Sequence, residues 1–131
     1  MSPHDAATAL HDLLTAGRHG DDIRHLFTDD AMTITHPNLL EPRGGTRRLE
    51  DMLAGSTAGA SLLASQTFEV HQAVESGDKV VLRLTWTGVV REAAGPFAKG
   101  QTLRAHIVQF ARTWEGRLAQ IETYDCYEPF E

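Results

Sequence analysis

The chain is short of cysteine and has no long apolar run. Its one cysteine, Cys126, excludes an intrachain disulfide and fits a reduced, cytoplasmic setting. The longest apolar runs fall far short of the roughly 20 residues that a membrane-spanning helix needs. The N-terminus also lacks the basic start and apolar core of a signal peptide. We therefore expect a cytoplasmic protein with no membrane partner, folded as one domain over residues 1–131.

Basic residues are also in the minority. The chain has 12 lysines and arginines against 18 aspartates and glutamates, a net charge of −6 with histidine neutral. Its one local basic cluster is Arg43, Arg47 and Arg48. A phosphate backbone favours a basic surface, so this balance predicts no nucleic-acid partner.

Several motifs that hold cofactors or nucleophiles are missing. Gly44-Gly45 is not followed by the Lys-Ser/Thr of a phosphate-binding loop, and no Gly-x-Ser-x-Gly elbow occurs. The seven histidines have no ligand spacing backed by cysteine or glutamate. The sequence therefore predicts neither a metal site nor a cofactor.

The first half of the chain has helical patterns around one short extended run. Ser2-Pro3 predicts a helix start, apolar residues follow at helical spacing, and Gly17 predicts its end, with His11 on the solvated side. Asp21 predicts the cap of a second, shorter helix, and Thr46 that of a third. Residues 31–36 are predicted to be extended and 37–45 to form a loop, while 54–65 show no clear period.

The second half changes to a period of two, which is typical of strands. Strands are predicted from residue 66 to a hairpin turn at 76–78, over 79–88, over 102–111, and from about 118 to 127, with a loop at 89–101. Residues 102–111 are substantially apolar on both faces, which a sheet with one wet face would not need. We expect helices to cover one face and a pocket or a partner subunit to cover the other.

This order of elements resembles the nuclear transport factor 2-like fold, and in particular its SnoaL-like branch, named for a polyketide cyclase. Three passages carry the resemblance: residues 27–31 (Phe-Thr-Asp-Asp-Ala); residues 76–83 with 85–88 (Ser-Gly-Asp-Lys-Val-Val-Leu-Arg, then Thr-Trp-Thr-Gly); and residues 110–125, from Phe110 through Gly116-Arg117-Leu118 to Tyr124-Asp125. The resemblance covers nearly the whole chain. It implies an α+β, cystatin-like fold, in which a curved antiparallel or mixed sheet wraps around the N-terminal helices as a cone-shaped barrel with a pocket. It also implies homodimers that form through the outer sheet face.

His106 is the first candidate for a catalytic residue. It lies mid-strand among apolar residues, and a partly buried histidine can act as a general acid or base. In the SnoaL-like cyclases that the chain resembles, a catalytic aspartate lies on the corresponding strand, whereas residues 102–111 contain no acidic residue. The cyclase mechanism therefore does not transfer unchanged. The alternative is a hydrogen-bonded core histidine or one at a dimer interface.

Four more residues complete the predicted constellation around His106. Asp125 is predicted to orient the imidazole, with pairing at the sheet edge as the alternative. Arg104, two residues before His106, is predicted to bind a carboxylate or an enolate oxygen if it points inward, and Tyr124 to contact the substrate. Trp86 is predicted either to stack on a ligand ring or to pack in the core.

His36 is the last candidate, predicted to border the pocket mouth or to be a histidine at a loop edge. The family that the chain resembles includes aldol-type cyclases, ketosteroid isomerases, dehydratases, epoxide hydrolases and binding proteins. The prediction is a cofactor-free acid–base enzyme of isomerase, cyclase or dehydratase type, acting on an oxygenated, secondary-metabolite-like molecule. A non-catalytic ligand-binding or dimeric interaction module and an epoxide hydrolase are the alternatives.

Overall fold

A computed structural model describes residues 1–130 of the chain, in which two helices pack against one sheet of six strands. The helices are α1 (Pro3–Thr15) and α2 (Leu49–Leu62). The strands are β1 (Phe27–Thr35), β2 (Gly45–Arg48), β3 (Leu63–Ser76), β4 (Lys79–Val90), β5 (Thr102–Trp114) and β6 (Arg117–Tyr127). Within the described residues, neither helix is long and apolar enough to cross a membrane.

The sheet has the order β2-β1-β6-β5-β4-β3. Strands β3 to β6 form the antiparallel meander that the period of two predicts, and β1 joins it in parallel beside β6. The sheet is open, with β2 and β3 at its edges. The α+β class and the wrapped-sheet architecture are confirmed, although the strands do not close into a full barrel.

The start of α1 follows the predicted capping signal. The Ser2 hydroxyl accepts a hydrogen bond from the Asp5 backbone N–H at 3.0 Å, and the Asp5 carboxylate accepts one from the Ser2 backbone N–H at 3.4 Å. These bonds satisfy backbone donors that the first helical turn leaves free. His11 is buried rather than solvated, so that prediction is wrong.

Four other local predictions are corrected. The short helix expected from Asp21 is a pair of 3₁₀ turns, Gly20–Asp22 and Arg24–Leu26, and the first strand begins at Phe27. Within the predicted loop, Gly45 begins β2, and Thr46 pairs with Ile34 instead of capping a helix. The third predicted helix, α2, extends through the stretch without a clear period, because its buried leucines outweigh the low helix propensity of its glycines.

One side of the sheet, here called the inner face, packs against the helices. Its large, fully buried side chains include Val80, Leu82, Leu84, Leu103 and Leu118. Directly paired residues in an antiparallel sheet share a face, and successive residues alternate. The opposite side, here called the outer face, is uncovered in this single chain.

Candidate active site

A cavity of about 580 Å³ lies between the helices and the inner face. Its apolar wall includes Leu10, Ile23, Phe27, Met52, Leu103 and Ile121. Ligand pockets have this size range and this mainly apolar character. The cavity is therefore large enough for a fused-ring molecule.

Helix α2 gives the cavity much of its width. Gly55 and Gly59, one turn apart, both line it, and a Cβ atom built on either would meet nothing within 4 Å. Glycine lowers the stability of a helix interior by about 1 kcal/mol relative to alanine. Since neither glycine is needed for close packing, their effect here is to leave the cavity open.

Trp86 forms part of the cavity wall on β4. Its indole N–H donates to Gln66 Oε1 at 2.9 Å, and its ring meets Tyr127 edge-on with centroids 6.2 Å apart. Gly88 makes room for the ring, because a Cβ there would lie 2.6 Å from the Trp86 side chain. The inward orientation that sequence reasoning considered is thus found, and contact with a ligand stays a prediction.

The cavity has a polar region that β1, β2 and the loop between them supply. Arg47 on β2 donates to both carboxylate oxygens of Glu41, at 2.5 and 3.2 Å, and both residues line the cavity. Thr33 and Tyr127 line it as well. Two parallel N–H···O bonds fix the guanidinium plane, so a cation is held in place beside the apolar chamber.

Asp125 lies on the inner face of β6, between the cavity-lining residues Ile121 and Tyr127. Its register partner is Ile107, which is buried, and Thr123 donates a hydrogen bond to its Oδ1 at 2.5 Å. Burial raises the pKa of the Asp125 carboxyl, the Thr123 hydrogen bond opposes that rise, and the negative charge of Glu41 adds to it.

Tyr127 is the neighbouring inner-face group on β6, opposite the fully buried Ala105. Burial raises the pKa of its hydroxyl, and the nearby carboxylates of Asp125 and Glu41 raise it further. The phenol therefore stays protonated and can donate a hydrogen bond. A carboxyl with a raised pKa next to a protonated phenol is a pair suited to acid–base chemistry.

His106 and Arg104 lie on the outer face, away from the cavity, so the catalytic role predicted for His106 lacks support in the geometry, and the alternative of a dimer-interface histidine stays a prediction. His106 pairs with Cys126, whereas Asp125 pairs with Ile107, one position away. The His106 side chain is 58% exposed, and its Nε2 lies 2.8 Å from Glu128 Oε2. Strand alternation puts His106 and Asp125 on opposite sides of the sheet, so Asp125 cannot orient the imidazole.

Arg104 points the same way as His106. Its guanidinium lies 3.9 Å from the Glu128 carboxylate, and its side chain is about half exposed. It therefore has no access to the cavity. The role predicted for Arg104 required an inward orientation, which the structure does not show.

His36 and Tyr124 are neighbours on the outer face as well. Tyr124 pairs with Val108, one position along from Ile107, and its ring stacks on His36 with centroids 4.0 Å apart. His36 Nε2 lies 2.7 Å from Glu122 Oε2. This cluster is separated from the cavity by the sheet, so the substrate contacts predicted for His36 and Tyr124 lack support in the geometry.

Sequence reasoning missed Glu41, Arg47 and Tyr127. Tyr127 could have been found, because it lies two residues after Asp125 and shares its strand face. Arg47 was noted only as part of a basic cluster, because the strand that turns it inward lies in a stretch with the glycines and prolines of a loop. Glu41 carries no signal beyond its spacing from Arg47.

The described residues 1–130 contain no group of three histidine, cysteine, aspartate or glutamate side chains placed to hold a metal ion.

An open, wrapped sheet and two helices that enclose an apolar cavity with a polar end define a known class of α+β protein. The sequence profile of the SnoaL-like domain matches residues 7–121, and the chain belongs to this family. The resemblance seen in the sequence is thereby confirmed. A comparison with curated proteins finds no match.

Solved structures show the same fold at low sequence identity. IdmH, a candidate polyketide cyclase from Streptomyces antibioticus, superposes with a TM-score of 0.76 at 21% identity, over 95% of this chain and 92% of that one. AclR, a candidate hydroxylase from Streptomyces galilaeus, gives 0.71 at 19% identity, over 95% and 80%. A Catenulispora acidiphila protein with a ketosteroid isomerase-like fold, in complex with trimethylamine, gives 0.70 at 16%, over 95% and 86%.

Proposed function

We propose that the chain is a small enzyme that performs acid–base chemistry, without a cofactor, on an apolar molecule that carries a carbonyl or hydroxyl oxygen. The observation that carries this proposal is the partly desolvated Asp125 carboxyl on the inner face, two residues from the cavity-lining Tyr127 and close enough to raise the pKa of its hydroxyl. General acids and bases work best when their pKa approaches the working pH, and burial moves a carboxyl in that direction. The IdmH and AclR likenesses support a small-molecule substrate of the secondary-metabolite kind.

The proposed first step is removal of a proton from a carbon next to a carbonyl group. Asp125 takes the proton and becomes a neutral acid, while the carbonyl oxygen gains the negative charge of an enolate. The Tyr127 hydroxyl, which stays protonated, donates a hydrogen bond to that oxygen, and the Arg47 guanidinium adds positive charge near it.

The second step decides the reaction type. Return of the proton from Asp125 to a different carbon gives isomerisation. Attack of the enolate carbon on a second carbonyl gives cyclisation, and loss of a neighbouring hydroxyl as water gives dehydration. The same groups could activate water for epoxide opening. The cavity geometry therefore supports acid–base chemistry as a class and does not select one of these reactions.

Charge narrows the substrate class. The negative charge of Glu41 acts on the Asp125 carboxyl, and the Arg47 guanidinium is already bound by both oxygens of Glu41. A substrate carboxylate at this end would meet like charge in a poorly solvated site. A neutral molecule is therefore the better fit.

The test is hydrogen–deuterium exchange at the carbons next to the carbonyl of 2-tetralone, a neutral fused-ring ketone, followed by NMR in D2O. We expect the protein to accelerate exchange and Asp125→Asn to slow the catalysed rate by about 100-fold or more, the usual range for general acid–base catalysis. His106→Asn, which changes an outer-face group, should leave the rate within about twofold. Catalysed exchange that survives Asp125→Asn would rule out the assignment.

A second candidate, a ligand-binding protein without catalysis, is favoured by one observation. The only side-chain hydrogen bond made by the Asp125 carboxyl in the described residues comes from Thr123, so no second titratable group is in direct contact with it. In that case 2-tetralone should bind, as seen by quenching of the tryptophan fluorescence to which Trp86 contributes, with no acceleration of exchange.

The outer face supports the proposal that the chain forms a homodimer. It exposes four large apolar side chains, Val74, Phe110, Trp114 and Tyr124, and the rings of Phe110 and Tyr124 meet edge-on. Exposed apolar surface of this kind marks interaction sites. The patch lies on the side of the sheet away from the cavity, so two copies could pair without blocking each other's site.

A further inference from the structure

Gln66 is a polar residue of the cavity that the proposed reaction does not use. It lies near the start of β3, is half-buried, and lines both the main cavity and a second pocket of about 280 Å³. Leu14 and Leu63 line both spaces as well. The two spaces are therefore adjacent, with Gln66 at their junction.

Trp86 fixes which way the Gln66 amide faces. An indole N–H can only donate a hydrogen bond, so the amide atom that lies 2.9 Å from Trp86 Nε1 is the oxygen, Oε1. The amide nitrogen, Nε2, carries two donor hydrogens and has no hydrogen-bond partner within residues 1–130. Since no buried side-chain nitrogen or oxygen in this part of the chain lacks a partner, Nε2 is accessible to a ligand.

An accessible amide nitrogen beside an apolar wall selects among ligands. Apolar pockets gain specificity from a few polar groups that are held in a fixed direction. A ligand that covers Gln66 without offering an acceptor removes water from Nε2 and leaves its N–H groups unpaired, which costs affinity. A ligand with an oxygen acceptor at this point replaces the water instead.

Gln66 and Asp125 lie at opposite sides of the cavity. The strand order puts β3 three places from β6, and neighbouring strands are about 4.8 Å apart. Trp86 on β4 stands between them, because its indole N–H donates to Gln66 and its ring meets Tyr127 of β6 edge-on, with centroids 6.2 Å apart. A ring system that lies against Trp86 therefore has the Gln66 amide near one end and the Tyr127 phenol near the other.

We propose that Gln66 binds a second oxygen atom of the substrate, an acceptor at the end of the ring system opposite to the reacting carbonyl. This proposal rests on the function proposed above, which puts the reacting carbonyl beside Tyr127. It narrows the substrate class to neutral fused-ring molecules that carry oxygen at both ends. The contact fixes the orientation of the substrate, so that the carbon next to the reacting carbonyl faces Asp125.

The experiment compares two neutral ligands by isothermal titration calorimetry. One is trans-2-decalone, a fused bicycle with one carbonyl, and the other is trans-decalin-2,6-dione, which has a second carbonyl at the opposite end. The quantity compared between variants is the ratio of the dissociation constant of the monoketone to that of the diketone. Differences in ligand hydration cancel when this ratio is compared, so a change reports the contact with the second carbonyl.

Gln66→Glu keeps an oxygen for the Trp86 N–H but removes the amide donors. We expect it to lower the ratio at least about fivefold, the range of one neutral hydrogen bond. The indole N–H signal of Trp86 in a 1H–15N NMR spectrum checks that this variant keeps its fold. Gln72→Glu is the matched control, since it adds the same charge to an exposed position of β3 that pairs with Arg83 on the outer face, and it should leave the ratio unchanged.

A second variant separates hydrogen bonding from charge. Gln66→Met has a similar length, no donor and no charge, and should lower the ratio in the same direction. An unchanged ratio in Gln66→Met would overturn the proposal, because any change in Gln66→Glu would then be an effect of charge alone. Failure of the wild-type chain to bind the diketone would overturn it as well.

None of these readouts requires turnover. Failure of the enzyme assignment would appear as ketone exchange unaffected by Asp125→Asn, whereas failure of the second-oxygen site would appear in the ratio of dissociation constants alone.

Discussion

The inner and outer faces of β5 and β6 carry similar residue types in different surroundings. On the inner face, Asp125 is partly desolvated, and its pKa is raised by burial. On the outer face, the carboxylates of Glu122 and Glu128 lie within hydrogen-bond distance of His36 and His106, at 2.7 and 2.8 Å, near solvent. The face on which a carboxyl lies therefore decides whether it is suited to acid–base chemistry.

The two faces are separated by a single residue step along each strand. His106 and Ile107 are neighbours in sequence, yet one is 58% exposed and the other 9%. A step of one residue moves a side chain to the other side of the sheet. The face on which a side chain lies therefore decides whether it can reach the cavity.

The largest expected contrast between the faces is in stability, at the adjacent residues Val80 and Val81. Val80 is 1% exposed on the inner face, whereas Val81 lies half-buried on the outer face. Val80→Ala should lower the free energy of unfolding by about 2–3 kcal/mol, since it removes buried methyl groups and leaves a cavity. Val81→Ala should cost less than about 1 kcal/mol. Urea unfolding measures both, and equal losses would contradict the assignment of the two faces.

Most of the fold follows from the sequence because its signals are local. The Ser2-Pro3 helix start, the hairpin turn at 76–78 and the period of two after residue 66 all correspond to observed elements. The sequence does not predict β2, because its residues have the composition of a turn and become a strand only by pairing with β1. The sequence also does not predict where α2 ends. Two glycines lower its helix propensity, whereas its stability comes from the burial of Leu49 and Leu53.

The site could be predicted only in part, for a related reason. Alternation shows that Asp125 and Tyr127 share a face, and that Arg104 and His106 share one. It does not show which of the two is inside, because β5 is apolar on both sides. Register with β6 shows that His106 and Asp125 lie on opposite faces, and packing against the helices decides which face is inside; both are long-range properties that periodicity alone leaves open.

A smaller contrast concerns association through the outer face. Phe110 is 43% exposed there and meets Tyr124 edge-on, with ring centroids 6.1 Å apart. If two copies pair through this face, the mass in solution is twice the 14.4 kDa of one chain. Phe110→Asp should then weaken the dimer at least about tenfold, because a charge would be buried at an apolar contact.

Light scattering over a dilution series measures the dimer, with Leu39→Asp as the control. Leu39 is 56% exposed in the loop after β1, outside the outer-face patch. Its substitution should leave the mass unchanged. A wild-type chain that stays monomeric at all concentrations would show that the outer face has another role, and the contrast between the faces would then lie in stability and chemistry alone.

The smallest expected effect is the pH dependence that His11 confers on stability. Its pKa is lowered in the folded protein, mainly by burial, while an unfolded histidine titrates near 6.5. The unfolded chain therefore binds more protons as the pH falls below about 6.5, and this destabilises the fold progressively until the folded pKa is passed. Asp125, with a raised folded pKa, acts in the opposite sense at lower pH.

An Asp125→Asn background separates the two groups. In that background, the free energy of unfolding should fall more between pH 7.5 and 5.5 when His11 is present than when it is replaced by phenylalanine. Parallel pH profiles would show that His11 is not held neutral by the fold. Asp125 and Tyr127 would then be the cavity-side groups whose protonation depends on folding.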